Sequence, residues 1–187
     1  MTTISRTGLE VPTIETARLV LRPHRLDDFA AASAMWSDPV VTRFIGGRPF
    51  TEEETWSRLL RYAGHWQLLG YGYWVIEQKA TGTFIGEIGF ADYHRDLKPS
   101  LDGAPECGWA LIPSAHGQGY ATEAVRAVVA WGDQHFGAIR TACIITPENK
   151  ASIRVAEKCG YRGNGRATYK DSPTLIFVRD PAAQAKI

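Results

Sequence analysis

The stretch "HGQGYATEAVRAVVAWGDQHF", residues 116–136, constrains the fold more than any other part of the chain. Gly117 and Gly119 run straight into a segment whose apolar residues are Ala121, Ala124, Val125, Val128, Val129 and Gly132. Spacings of three and four make these one stripe of an amphipathic helix, with Glu123, Arg126, Asp133 and Gln134 on its other side. The first N–H groups of a helix have no internal partner and carry partial positive charge. Glycine has no Cβ, so its backbone can approach a ligand closely. Two readings are open: a tight strand-to-helix turn, or a seat for a phosphate or pyrophosphate. The loop is not of the Walker type, because no Gly-Lys-Ser/Thr follows. It is not a dinucleotide fingerprint either, because the third glycine is missing and the preceding strand closes a meander.

The rest of the chain supplies the context. "ARLVLRP" alternates and stops at Pro23, which predicts a first strand. "RLDDFAAASAMWSD" predicts a helix ended by Pro39. Thr51 and Glu54 form a capping-box pattern ahead of a second helix that stops near Gly70. "YGYWVIEQ" and "TFIGEIGF" flank the turn "KATG", a hairpin signal, and "ECGWALIP" completes a three-stranded meander. After the glycine-led helix come a short strand, "IRTACIITP", and a short helix, "NKASIRVAEKCG", closing at Gly160. Two last strands lie near "YRGNGRATY" and "PTLIFVRD". The order predicts an α+β (mixed α/β) sandwich: one central sheet with helices on its faces.

At 187 residues the chain suits one domain. Its net charge of +1, from 21 basic and 20 acidic residues, argues against a general attraction to nucleic acid. Cys107, Cys143 and Cys159 lack metal-type spacing and are read as buried free thiols in a reducing compartment. The five histidines form no i, i+4 pair, so no metal site is expected. No signal-peptide core or membrane span is evident, and a cytoplasmic protein without membrane partners is the expectation.

Two segments, "ECGWALIPSAHGQGYATEAVRAVVAWGDQHFG" and "ITPENKASIRVAEKCGYRGNGR", resemble the GCN5-related N-acetyltransferase (GNAT) superfamily. With "ETARLVLRP" and "VTRFIGGRPFTEEETWSRL", the likeness is greatest to the branch of ribosomal-protein N-terminal alanine and serine acetyltransferases. The superfamily's acetyl-CoA loop reads Gln/Arg-x-x-Gly-x-Gly/Ala. Here it reads His116, Gly117, Gln118, Gly119, Tyr120, Ala121, with His116 in place of Gln or Arg. The resemblance implies a mostly antiparallel twisted sheet of about seven strands flanked by about four helices, splayed between the fourth and fifth strands. It implies a single N-acetyltransferase domain over residues 1–187, with a core of about 14–180. It also implies acetyl-CoA as cosubstrate, with its pyrophosphate on the loop and Thr122 adding a hydroxyl. The acceptor would be a primary amine, on a protein N-terminus or a small molecule, and a homodimer is the default assembly. A non-catalytic acyl-CoA sensor on the same fold is the alternative.

Acyl transfer to an amine needs a base for the ammonium, a donor for the oxyanion and a partner for the leaving thiolate. The resemblance lays the pantetheine arm along "WALIP" and "ACIITP", with Leu111 and Ile112 as wall and backbone donors. Glu106 is the candidate base, and Glu87 competes with it. Asn149 is a good helix N-cap, and the resemblance adds a hydrogen bond to the pantetheine amide. The tyrosine acid that many members carry seven residues after this Asn is replaced here by Ala156. Ser152, or a bound water, then serves the thiolate. Tyr161 is read as core.

Overall fold

A computed structural model describes residues 10–101 and 103–181. The chain runs through β1 (Ile14–Glu15), β2 (Leu19–Arg22), α1 (Phe29–Trp36), α2 (Pro39–Thr42), α3 (Glu52–Leu69), β3 (Tyr73–Gln78), β4 (Thr83–Ala91) and β5 (Glu106–Leu111). It continues through α4 (Tyr120–His135), β6 (Thr141–Ile145), α5 (Lys150–Lys158), β7 (Arg162–Tyr169) and β8 (Ser172–Arg179). The strands form one sheet in the order β1-β2-β3-β4-β5-β6-β8-β7. The architecture is the mixed α/β sandwich that the element order predicts. The sheet has eight strands because a two-residue β1 pairs with β2. The fifth helix is α2. Pro39 ends α1 and also opens α2 at the first helical position, where no N–H is required, while the Asp38 side chain accepts from the Val40 N–H at 2.7 Å.

The capping box forms as read: Thr51 Oγ1 accepts from the Glu54 N–H, Glu54 accepts from the Thr51 N–H, and α3 ends on Gly70 in the left-handed region. The β4–β5 register sets Glu87 opposite Ala110 and Ala91 opposite Glu106. Residues opposed in an antiparallel pair share a face, and successive residues alternate. Glu87, Gly89, Ala91, Glu106, Gly108 and Ala110 therefore lie on one face, and Ile88, Phe90, Cys107, Trp109 and Leu111 on the other. The second face takes α4, whose Ala124, Val125, Val128 and Val129 are buried against it. Gly132 permits this approach, since a Cβ there would stand 2.9 Å from the Phe90 ring. The first face takes α1, α2 and α3, with Trp36 and Val41 packed around Ala110.

All neighbouring strands are antiparallel except β5 and β6, which touch in parallel at one register point, Glu106 with Ala142. Past that point β5 stays with β4: the Ile112 N–H donates to the Ile85 carbonyl at 3.0 Å. The sheet thus opens as a wedge toward the C-terminal ends of β5 and β6. An opening outside the carboxyl ends of parallel strands is where open α/β sheets bind ligands. All three cysteines are buried and free.

Candidate active site

The glycine loop sits at the mouth of the wedge. A 3-10 turn, Pro113–Ala115, carries the chain off β5. Gly117 (φ 74°) and Gly119 (φ 82°) then adopt left-handed backbone that L-residues with a Cβ rarely take. Gly119 is the N-cap of α4 and offers no side chain, so the first N–H groups of the helix are left to face outward. His116 explains its own presence: its Nε2 donates to the Leu111 carbonyl at 2.9 Å and ties the loop to the end of β5. Arg18 braces the other side, donating to the Gln118 carbonyl (3.0 Å) and to Glu123 (2.7 Å) while lying over the Tyr120 ring. Tyr120 is buried and accepts from Gln78 Nε2 at 2.9 Å.

Across the wedge, Asn149 caps α5 by accepting the Ser152 N–H on Oδ1 at 3.1 Å. The cap spends none of the amide's own N–H bonds. A cleft of about 500 Å³ connects these parts. Of the residues expected to hold the cosubstrate, Leu111, His116, Gly117, Gly119, Tyr120, Ala121, Thr122, Asn149 and Ser152 line it. Ile112 and Gln118 stand outside its wall, Gln118 donating to the Ser114 carbonyl at 2.6 Å. Ala156 is fully buried in the core that α5 shares with α4, so a tyrosine at this point would have no room. Tyr161 is likewise core, with its hydroxyl 3.0 Å from Thr141 Oγ1.

The cleft runs through the sheet. One end is walled by Leu111, Tyr120 and Val155 on the α4–α5 face, the other by Val40, Val41, Ile45 and Ala110 on the α1–α3 face. Lys158 lines this cleft, and together with Arg126 it lines an adjoining groove beside Gly119 and Thr122. Sequence reading set Arg126 on the solvent side and gave Lys158 no task. A readable signal existed, since Lys150, Arg154 and Lys158 recur at i, i+4 on one side of α5.

The two carboxylates differ sharply. Glu106 is 6% exposed and accepts from Arg95 on both oxygens, at 2.6 and 2.8 Å. Burial opposes the charge of Arg95, and Glu106 more than restores it, so that guanidinium stays cationic. Arg95 also lies over the Tyr93 and Tyr169 rings. Glu87 is 2% exposed, with Oε2 accepting from Trp36 Nε1 at 3.0 Å. Among the described residues no group of three metal-ligating side chains is placed to hold an ion, and no helix is long and apolar enough to cross a membrane.

A wedge in the sheet, a glycine-led helix N-terminus and an Asn-capped helix thus face one cleft. Residues 18–162 match the family model described as the acetyltransferase (GNAT) domain. The chain is 32% identical over 158 residues to the "Uncharacterized N-acetyltransferase YoaA" of Bacillus subtilis, covering 82% of this chain and 85% of that one. A GnaT-family acetyltransferase from Bordetella pertussis superposes with a TM-score of 0.80 at 31% identity, over 90% of this chain and 99% of that one. A ribosomal L7/L12 α-N-protein acetyltransferase solved in complex with coenzyme A shares the fold, with a TM-score of 0.72 at 18% identity, over 90% and 98% of the two chains. The protein belongs to the GNAT family of N-acetyltransferases.

Proposed function

We propose that the protein moves an acetyl group from acetyl-CoA to a primary amine by direct attack in a ternary complex. The observation that carries this is the pair of left-handed glycines at the uncapped start of α4, opening onto a cleft that crosses the sheet. The residues present fit the cosubstrate. Backbone N–H groups at 119–122, with Lys158 and Arg126 beside them, suit a pyrophosphate. The unpaired edge of β5 beyond Glu106 offers backbone donors to an amide-bearing arm and to the thioester oxygen. Asn149 adds side-chain N–H bonds, and Ser152 a hydroxyl for the departing sulfur.

The acceptor enters from the α1–α3 end, where Val40, Val41 and Ile45 form an apolar mouth beside Arg43. Its ammonium must lose a proton before the nitrogen attacks the thioester carbon. The C–N bond then forms, the C–S bond breaks, and the thiolate recovers a proton from the new amide nitrogen through Ser152 or water. Two carboxylates on that face can take the first proton. Glu106 would do so through a water on a lone pair that Arg95 leaves open; Glu87 is the register partner of Ala110, which lines the cleft. The free, buried thiols agree with a cytoplasmic setting.

Thermal shift with acetyl-CoA, NAD and ATP, followed by thiol release over a panel of peptide and small-molecule amines, tests the reading. Acetyl-CoA at about a hundred times its dissociation constant should add roughly 2.7 kcal/mol, and NAD and ATP far less. No shift with acetyl-CoA would overturn the assignment. A shift without thiol release in any pool would favour the sensor.

A further inference from the structure

Three buried polar side-chain atoms find no aligned hydrogen bond among the described residues: His24 Nε2, Ser33 Oγ and Arg58 Nε. All three belong to the layer that covers the α1–α3 face. Buried polar atoms are nearly always bonded, so an orphan calls for a reason. His24 Nε2 stands 3.4 Å from Glu87 Oε1, and both side chains are more than nine-tenths buried. The other Glu87 oxygen is fixed by Trp36 Nε1, and the Trp36 indole stacks on the Phe50 ring (5.3 Å) while the Arg58 guanidinium lies over both rings, at 4.0 and 4.9 Å. The carboxylate is therefore pinned by one oxygen while the other meets an imidazole nitrogen without a settled bond.

Position decides between the carboxylates. Glu87 is opposite Ala110, the β5 residue that lines the cleft on that face, so its Cβ lies about 5 Å from that of Ala110. Glu106 lies four residues back along β5, roughly 13 Å from the same point, with both oxygens on Arg95. Resting on the acetyl-transfer reading above, we propose that Glu87 accepts the proton of the acceptor's ammonium and that His24 holds it while the neutral nitrogen attacks. Glu87 is then a catalytic residue and His24 a positioning residue that acts through it. The ammonium loses one proton to the pair, the thioester step proceeds as described, and the pair returns that proton to solvent. The groups facing the pair are Arg58 and Tyr62 from α3, with the Tyr62 ring 5.1 Å from that of His24, and Asp28 from the turn before α1, itself bound by Arg22.

The test is kcat against pH, with one good amine, for the wild type, Glu87→Gln, His24→Asn and Glu106→Gln. Glu87→Gln keeps the Trp36 bond and should lose about a hundred- to ten-thousand-fold in kcat while acetyl-CoA still raises Tm. His24→Asn should displace the acid limb of the profile, because the imidazole no longer shares Glu87 Oε1, whereas a merely structural His24 would change only stability. Glu106→Gln should leave that limb in place. Folded Glu87 and His24 variants with wild-type kcat and an unchanged limb would overturn the proposal, as would a Glu106→Gln variant that alone abolishes it. Should Glu87→Gln not fold, ¹³C-labelled histidine spectra of the wild type decide. His24 must titrate in step with kcat, and an imidazole that keeps one protonation state across the limb refutes the pair. A wild type that releases no thiol with any amine would instead strike the parent reading.

Discussion

The face of the sheet under α4 and α5 presents backbone, whereas the face under α1–α3 presents buried charged and aromatic side chains. On the first, Gly117, Gly119 and the uncapped start of α4 leave N–H groups exposed to a ligand, and side chains such as His116 and Arg18 only hold the loop in shape. On the second, Arg22–Asp28, Arg95–Glu106, Trp36–Glu87 and the stacked Tyr62–Tyr73 pair are closely packed and mostly bonded. A backbone site tolerates side-chain change but not a Cβ at the wrong point. A side-chain site fails when one partner of a buried pair is removed. One face should therefore lose binding without losing the fold, and the other should lose the fold first.

The largest effect is expected at Asp28. Asp28→Ala strips one partner from a buried pair at 2.7 Å and leaves Arg22 leaning on Glu77. Urea unfolding should show a loss of about 3–5 kcal/mol, with the acetyl-CoA-induced Tm shift retained. Burial opposes the charge of Asp28, but Arg22 and the Arg25 N–H outweigh it and hold the carboxyl below its ordinary 3.8. A carboxyl depressed on folding contributes stability that is fully present above its unfolded value and is lost as pH falls through the lower folded one. Tm should therefore drop below about pH 4 in the wild type, and Asp28→Asn should remove that part of the decline.

The glycine loop should behave in the opposite way. Gly119→Val brings a branched side chain to a left-handed residue, 3.4 Å from Arg18, and should cost roughly 1–3 kcal/mol in stability. Its acetyl-CoA affinity, by calorimetry, should fall at least tenfold, about 1.4 kcal/mol or more. Gly117→Ala sharpens the comparison, because a Cβ there meets no protein atom within 4 Å. It should cost about 1–2 kcal/mol of backbone strain, and any further loss of affinity reports on the ligand itself. Variants that lose this stability but keep wild-type acetyl-CoA affinity would favour a plain turn.

The smallest effects belong to the exposed cations. Lys158→Ala and Arg126→Ala should each weaken acetyl-CoA binding by about 0.5–1 kcal/mol, two- to fivefold, and the difference should shrink as salt rises. A salt-independent loss would mean that these side chains do more than add charge.

The same contrast explains what was legible beforehand. The helix stripe at 121–132, the Thr51–Glu54 box, the hairpin at 79–82 and the Asn149 cap are local patterns, and local physics places them. The loop could be recognised because glycine is the residue that left-handed backbone demands. The α1–α3 face was not readable, because Glu87 meets Trp36 and His24 only through strand register and helix packing, across 51 and 63 positions of sequence. Nothing near Glu106 in sequence announces Arg95, which arrives from the β4–β5 loop anchored by buried Leu97 against Ala167 and Ile176. Pro39 stops α1 and also starts α2, since both tasks use the same missing N–H. Arg126 and Lys158 were visible as charges, but their convergence beside Gly119 needed the tertiary fold.

Amide shifts in a ¹⁵N spectrum, recorded as acetyl-CoA is titrated in, test the central claim most directly, because the account rests on backbone N–H groups. The account predicts the largest changes at Gly117, Gly119, Tyr120, Ala121 and Thr122, with smaller ones along β5 at 109–111 and at the start of α5. The amides of His24, Arg58 and Tyr62 should stay in place until an amine is added. A titration that leaves residues 117–122 unmoved, or that moves only the α1–α3 face, would contradict it.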